Sequence, residues 1–322
     1  MSYIIAEIGN NHEGDISWAM KAITEAKLCG ADAVKFQAID PSSLVNTNAR
    51  GERVKSLEKL CLPLASFERL FDFAKDEGID FGVSFFDENS CKILPKFDFA
   101  KVASSDCDNL PLLDAVSQKY DRILVSTGTL SSKGLNSLKR FVNSVSANIT
   151  ILHCISKYPT LISDASLNLI DTLKKDFDSV GYSDHTDSLE INLMALALGA
   201  DVFEKHFTLD KTMIGIKDHA LSSDPEEFKI YCDSIRRFEN ALGVSRLDDR
   251  PEFKDLSYFE IKQSFYMKKA AVAGDTIEYE DVAYQRPRVA NSFLSFGPGS
   301  KVKARNDIDA NQPLIIDDII IE

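Results

Sequence analysis

Gly181-Tyr182-Ser183-Asp184-His185-Thr186 and Val202-Phe203-Glu204-Lys205-His206-Phe207 are the two stretches that decide the fold. Each reads as the end of a short strand that delivers one imidazole, and the histidines stand 21 positions apart with a helical pattern between them. Parallel neighbours in a sheet need a crossover of a dozen residues or more, usually a helix. His185 and His206 should therefore leave adjacent parallel strands at the same end, where two nitrogens can converge on one metal ion. Two histidines satisfied inside an apolar core are the plainer reading. That reading leaves the charged neighbours Asp184, Glu204 and Lys205 unexplained, and the pair is taken as a metal site.

The pattern around His206 is repeated near the start of the chain. Gly199-Ala200-Asp201 runs into the second histidine strand, and Gly30-Ala31-Asp32 runs into Ala33-Val34-Lys35-Phe36-Gln37. Tyr3 to Ile8 is an apolar run suited to a strand buried on both faces. Asp15 caps a helix whose Ile16, Ala19, Met20, Ile23 and Ala26 recur at helical spacing, and Gly30 stops it in a left-handed conformation. Residues 40–63 show no clear periodicity and are expected to be a long loop. A helix follows at 64–77. Further strands are expected at Phe81 to Phe85, Phe99 to Ser104, Ile123 to Thr127 and Ile149 to Cys154, with helices such as Leu135 to Val145, Leu167 to Leu173 and 225–242. Eight strand-helix units in the first 245 residues predict an α/β fold, a (β/α)8 TIM barrel. An open doubly wound sheet is the rival, weakened because no glycine-rich phosphate loop follows the first strand.

Residues 246–261, with Arg246, Asp248, Asp249, Arg250 and Pro251, read as a charged linker. Residues 262–322 change character. Short strand-like pieces at Ala270 to Gly274, Thr276 to Ile277, Val282 to Tyr284, Val302 to Ala304 and Leu314 to Ile316 are divided by turn signals. A β-rich domain of this size has a marginal core of its own, and is expected to lean on the barrel or on another subunit.

Composition narrows the function. The 322 residues carry 50 acidic and 37 basic side chains, a formal charge of −13, which disfavours nucleic acid and anionic membranes as partners. The 44% hydrophobic and 27% charged fractions are those of a soluble globular protein. No stretch approaches the length of a spanning helix, the N-terminus has no signal-peptide pattern, and the six cysteines form no CxxC pair. The expected compartment is the cytoplasm.

A barrel of this kind carries its active site at the C-terminal ends of its strands. The polar residues expected there are Glu7, Lys35, Gln37, Ser84, Lys101, Ser104, Asp106, Ser126, Thr127, Ser156, Tyr158, Asp184, His185 and Glu204 to His206. Two lysines and several hydroxyls at one mouth point to a phosphorylated or carboxylated ligand. An imidazole pair with room for oxygen ligands suits manganese, cobalt, zinc or iron better than calcium, and such an ion polarises a carbonyl. Glu7 is a proton carrier, an electrostatic stabiliser or simply a partner for Lys35. The serines could equally cap the following helices. His12 and His153 are weaker ligand candidates, and His219, beside Asp218, is at most substrate-facing.

These residues resemble the bacterial sialic acid synthases. The resemblance rests on Ile5-Ala6-Glu7-Ile8-Gly9 with Asn11-His12-Glu13-Gly14, on Gly30 to Gln37, and on Ser126-Thr127-Gly128. It continues in His153-Cys154 with Tyr158-Pro159-Thr160, Gly181 to Thr186 and Glu204 to Thr208. The tail, with Arg286-Pro287, looks like the SAF (antifreeze-like) domain of those enzymes, so the resemblance covers nearly the whole chain. It implies condensation of phosphoenolpyruvate with the open-chain form of an N-acylated hexosamine, N-acetylmannosamine or a modified relative, to give a nonulosonic acid and phosphate. It further implies a divalent metal, by preference Mn2+ with Mg2+ or Co2+ as alternatives, on His185 and His206. Catalysis would fall to Glu7, Lys35, Lys101 and Asp106. Gln37, Ser84, Ser104, Ser126, Ser156, Tyr158, Ser183, Asp218 and Arg286 would bind substrate, the arginine from the partner of a domain-swapped homodimer. The chain departs from the family pattern at Gly215-Ile216-Lys217, at Arg288 to Asn291, at Lys262-Gln263-Ser264 and at Ser84-Phe85-Phe86, which leaves the identity of the hexosamine open. A Schiff-base aldolase using Lys35, Lys101 or Lys205, and a non-catalytic sugar-phosphate-binding protein, are the alternatives.

Overall fold

The computed structural model describes residues 1–243 and 257–321. It divides the chain into two compact units, Met1–Leu242 and Gly243–Glu322.

The first unit is a closed barrel of eight parallel strands in sequence order, with the first strand pairing the eighth. The strands are β1 (Tyr3–Gly9), β2 (Ala33–Ala38), β3 (Asp80–Phe85), β4 (Phe99–Val102), β5 (Arg122–Ser126), β6 (Asn148–His153), β7 (Val180–Asp184) and β8 (Val202–His206). Helices cover their outer faces: α1 (Ile16–Leu28) after β1, and α2 (Pro41–Leu44), α3 (Thr47–Leu60) and α4 (Ser66–Asp76) after β2. Then come α5 (Glu88–Ile93), α6 (Leu110–Ser117), α7 (Ser132–Val142), α8 (Asn168–Lys174), α9 (Leu189–Ala197), α10 (Asp218–Leu221) and α11 (Pro225–Leu242). The expected (β/α)8 barrel is the observed fold. Asp15 caps α1 by accepting from the amides of Ser17 and Trp18, and Gly30 ends it at φ +96°, a conformation that glycine adopts without steric cost.

Two expectations for the barrel need correction. Residues 40–63 hold α2 and α3 where a loop was expected. In α3 the backbone breaks at Arg50, and only Val54 is fully buried among its described side chains, so no apolar stripe marks the helix. The fourth strand stops at Val102, and Ser104–Asp106 coil into a 3-10 turn.

Side-chain alternation divides the barrel interior into layers. At the N-terminal end Ile5, Ala33, Phe99, Leu124, Leu152 and Val202 pack into one apolar cluster. Two residues further along the same strands the inward positions are Glu7, Lys35, Lys101, Ser126, Cys154 and Glu204. Strand geometry thus turns a dry floor into a polar cavity within one pleat.

The second unit holds α12 (Ser257–Ile261), an antiparallel pair of β9 (Ser264–Met267) with β11 (Val282–Gln285), and a sheet ordered β10 (Thr276–Glu278), β12 (Lys301–Ala304), β13 (Ile319–Ile320). Its own core includes Phe265, Met267, Ile277, Val282, Phe296 and Leu314. Ala270 to Gly274 and Leu314 to Ile316, expected as strands, contribute only isolated bridges through Ala271 and Ile315. Arg246, Asp248, Asp249, Arg250 and Pro251 of the expected linker lie outside the described residues.

Candidate active site

A cavity of about 360 Å³ opens at the C-terminal end of the barrel. Its wall includes the residues expected to bind metal or substrate or to act in catalysis, except Asp106 and Arg286; Thr127, Asp184 and Lys205, expected at the same mouth, do not line it. Register explains the convergence: Glu7 is level with Lys35 and with His206, Ser84 with Lys101, and Ser183 with Glu204.

At its centre is a buried ion-pair grid. The Lys35 ammonium contacts the Glu7 carboxylate, lies 3.7 Å from Glu204 Oε2 and donates to Ser84 Oγ at 2.6 Å. Lys101 donates to Glu204 Oε1, which also accepts from Ser183 Oγ at 2.7 Å. Glu7 Oε1 accepts from Gln37 Nε2 at 2.9 Å. Burial alone would raise the pKa of both carboxyls. At Glu204 the ammoniums of Lys101 and Lys35 overcome it and hold the group well below the usual range. At Glu7 burial prevails over Lys35, and the pKa is raised. Burial likewise lowers the pKa of Lys35, whereas at Lys101 the two glutamates outweigh burial and raise it. Two carboxyls whose environments drive them apart are the usual mark of divided acid-base roles.

Glu204, expected at the barrel mouth but given no catalytic or binding role from the sequence, joins both lysines to Ser183. The signal was present: it stands two residues before His206 on one strand, so both must face inward. The lysines are therefore not free cations. Two cationic and three acidic side chains (Glu7, Glu204 and Asp218) line the cavity.

His185 and His206 meet as expected, with ring centroids 5.5 Å apart, and Tyr158 lies 4.2 Å from the His185 ring. His185 Nδ1 donates to the Ile155 carbonyl at 2.8 Å, which leaves Nε2 as the bare nitrogen. His206 Nδ1 is buried without a hydrogen-bond partner. Burial lowers both pKa values, and at His206 the facing His185 adds to it. Two neutral imidazoles with unshared electron pairs in one cavity fit a divalent transition metal. No cluster of three metal-binding side chains occurs among the described residues, so oxygen ligands from water or substrate would complete the shell.

Hydroxyls line the same cavity. Ser104 and Ser156 share a hydrogen bond of 2.6 Å, and Ser126 Oγ is buried with no partner. Gly128 permits this arrangement, because a Cβ there would lie 2.4 Å from Ser156 Oγ and 2.8 Å from Cys154 Sγ. Gly128→Ala is expected to displace Ser156 and raise KM for an anionic substrate about tenfold, at little cost to melting temperature, in steady-state assays and thermal scans.

The remaining candidates are placed elsewhere. Asp106 sits in the 3-10 turn after β4, where its carboxylate accepts from Ser105 Oγ at 2.5 Å and does not line the cavity. The turn takes it off the strand's alternation, so the catalytic role expected for it is not carried over. Arg286 is exposed and belongs to the second unit. His12 Nδ1 accepts from the Gly14 amide, and burial pushes its pKa down to about 4. His153 bonds the Ala165 carbonyl, and His219 is buried between Thr208 and Glu13. Lys205 faces away from the cavity and pairs with Asp184 at 2.7 Å.

The sequence profile of the NeuB family matches residues 22–246. An uncharacterised protein of Methanocaldococcus jannaschii is 38% identical, over 99% of this chain and 95% of its own length. The N,N'-diacetyllegionaminic acid synthase of Campylobacter jejuni is 34% identical, over 91% of this chain and 92% of its own. Among solved structures, the N-acetylneuraminic acid synthetase of Leptospira borgpetersenii superposes with a TM-score of 0.74 at 32% identity, covering 80% of this chain and 90% of that one.

Proposed function

The chain belongs to the NeuB family, and from that premise we propose that it condenses phosphoenolpyruvate with the open-chain aldehyde of an N-acylated hexosamine, yielding a nonulosonic acid and phosphate. The observation that carries this reading is the meeting of two neutral imidazoles with a lysine–glutamate grid in one cavity. His185 and His206 would hold a divalent ion, Mn2+ by preference. When bound, that ion supplies Lewis acidity to the aldehyde oxygen.

The chain's own residues account for the rest. Lys35 and Lys101, shared with their glutamates, and the hydroxyls of Ser104, Ser126, Ser156 and Ser183 would hold the phosphate and carboxylate of the substrate. Carbon 3 of the enol attacks the aldehyde carbon, and positive charge develops at carbon 2. Glu204, held ionised, stabilises that charge. Water adds at carbon 2, and its proton passes through the Glu7 carboxyl to the oxygen left by the aldehyde. Collapse of the resulting hemiketal phosphate breaks the bond between carbon 2 and the phosphate oxygen, and the carbon 2 hydroxyl proton leaves with the phosphate, giving the ketone. Gln37 orients Glu7, while Tyr158 and Asp218 border the acceptor.

A second chamber of about 540 Å³ shares Gln37, Phe86 and Ser105 with the first and adds Ile39, Leu44 and Leu57. Its apolar wall supports an acceptor bulkier than a plain hexosamine. Phosphate release and product mass, measured with Mn2+, phosphoenolpyruvate and a panel of N-acylated hexosamines, test the reading; no turnover of any member would overturn it. The same reading makes the chain a homodimer whose tail is a SAF domain, with Arg286 of one copy serving the acceptor bound by the other. Light scattering and mixing of Arg286→Ala with Glu7→Ala chains test this, since only a hybrid dimer would regain activity.

Charge balance gives a further expectation. Three acidic side chains against two lysines leave no surplus for a substrate with both phosphate and carboxylate groups. Metal and phosphoenolpyruvate should therefore bind cooperatively, each tightening the other by about tenfold or more in calorimetric titrations.

A Schiff-base aldolase fits less well. Lys101 is held protonated and Lys205 faces away from the cavity, so only Lys35 could supply an amine. Borohydride with pyruvate should leave no adduct.

A further inference from the structure

Asp184 and Lys205 form a buried ion pair that the chemistry above does not use. Both project outward from the barrel, on the face where their strand neighbours Tyr182 and Phe203 are apolar core. A buried pair of this kind adds little net stability compared with apolar side chains of similar volume. Its place in the molecule suggests another task. Asp184 and Lys205 are the last register pair of β7 with β8; His206 ends β8, and His185 is the first residue past the end of β7. Where the strand pairing ends, the side chains take over. The Lys205 ammonium donates to Asp184 Oδ2 at 2.7 Å and also to the Thr186 carbonyl, so the residue before His206 grips the residues on both sides of His185. Asp184 is fixed in turn: Oδ1 accepts from the Thr186 amide at 2.8 Å, and Oδ2 accepts from Asn192 Nδ2 at 2.7 Å. Asn192 Oδ1 accepts from the Tyr231 hydroxyl of α11 at 3.2 Å.

We propose that Asp184 and Lys205 are positioning residues that set the separation of the two imidazoles, and through it the affinity of the site for a divalent metal. The proposal rests on the metal reading above. Neither residue touches a ligand; both act through the histidines. Partners placed behind metal ligands typically change affinity by about 10–100-fold when removed.

The test is Mn2+ titration of the full-length protein, read by the electron paramagnetic resonance signal of free Mn2+. The double variant Asp184→Asn/Lys205→Met removes both charges without leaving either buried alone. It should bind Mn2+ at least about tenfold more weakly, with lower kcat and an unchanged KM for phosphoenolpyruvate at saturating metal. Arg236→Met is the control. It breaks the contacts of Arg236 with Asp32 and the Ser2 carbonyl at the other end of the barrel, so it should lower the melting temperature without altering Mn2+ affinity. Asn192→Ala, which removes one donor to Asp184, should weaken Mn2+ binding about threefold and decides the matter if the double variant does not fold. Mn2+ affinity equal to that of the unaltered chain in the folded variants would overturn the proposal. Failure of the unaltered chain to bind Mn2+ would overturn it together with the metal reading, which distinguishes the two.

Discussion

Glu204→Gln should lower the unfolding free energy of the barrel by about 3–5 kcal/mol and reduce kcat by about three orders of magnitude. Glutamine keeps the shape of the side chain and can still accept from Ser183, so packing changes little. What goes is the charge that faces Lys101 and lies 3.7 Å from Lys35. Both ammoniums are almost wholly buried, and among the described residues Glu7, which pairs with Lys35, would be the one carboxylate left in direct contact with either. Removing one partner of a buried pair leaves the other charge without compensation, which costs far more than a surface salt bridge is worth. The stability effect has a sign in pH. The folded-state pKa of Glu204 is depressed, so its contribution is present above the ordinary carboxyl pKa and is lost as pH falls below about 4.5. Chemical denaturation at pH 7 should separate variant from parent, and the gap should close as the solution is acidified. Equal stability at pH 7 would show that the grid does not hold the barrel mouth together.

The barrel was legible because its signals are local. Helix caps, helix-stopping glycines and strands with charge at one end follow the backbone's own periods, so Gly30 and Gly199 could be read without knowledge of contacts. The histidine pair was legible for the same reason: one strand-helix-strand step fixes which ends are neighbours. The helix α3 was missed because its polar sequence leaves no stripe to count. Asp106 was misplaced because β4 ends earlier than its apolar run. The pairing of Lys101 with Glu204 spans 103 positions and joins β4 to β8 across the barrel interior. No local pattern encodes such a contact; it appears only when the barrel closes. The two lysines looked like an anion cradle in sequence, and closure shows each already holding a carboxylate.

His206→Ala should separate function from stability in the opposite sense to Glu204→Gln. Without metal, the His206 imidazole is a buried polar ring whose Nδ1 has no partner, and burial together with His185 disfavours its charged form. A buried group left unsatisfied costs about 1–3 kcal/mol. Alanine removes that cost, and the space it leaves opens onto the cavity, where water can fill it. The metal-free variant is therefore expected to melt at or slightly above the temperature of the metal-free parent. Adding Mn2+ should reverse the order, because a ligand at 100 times its dissociation constant stabilises the state that binds it by about 2.7 kcal/mol, and the variant retains only one imidazole. Loss of Lewis acidity at the aldehyde should lower kcat/KM by about a thousandfold or more, near 4 kcal/mol in the barrier. Thermal scans of both proteins with and without Mn2+, beside one activity series, read all three effects. A metal-free variant much less stable than its parent, or a parent whose melting temperature ignores Mn2+, would mean that His206 is there to support the fold. The predicted crossing instead matches a site whose geometry is held at the expense of the empty protein and repaid on binding.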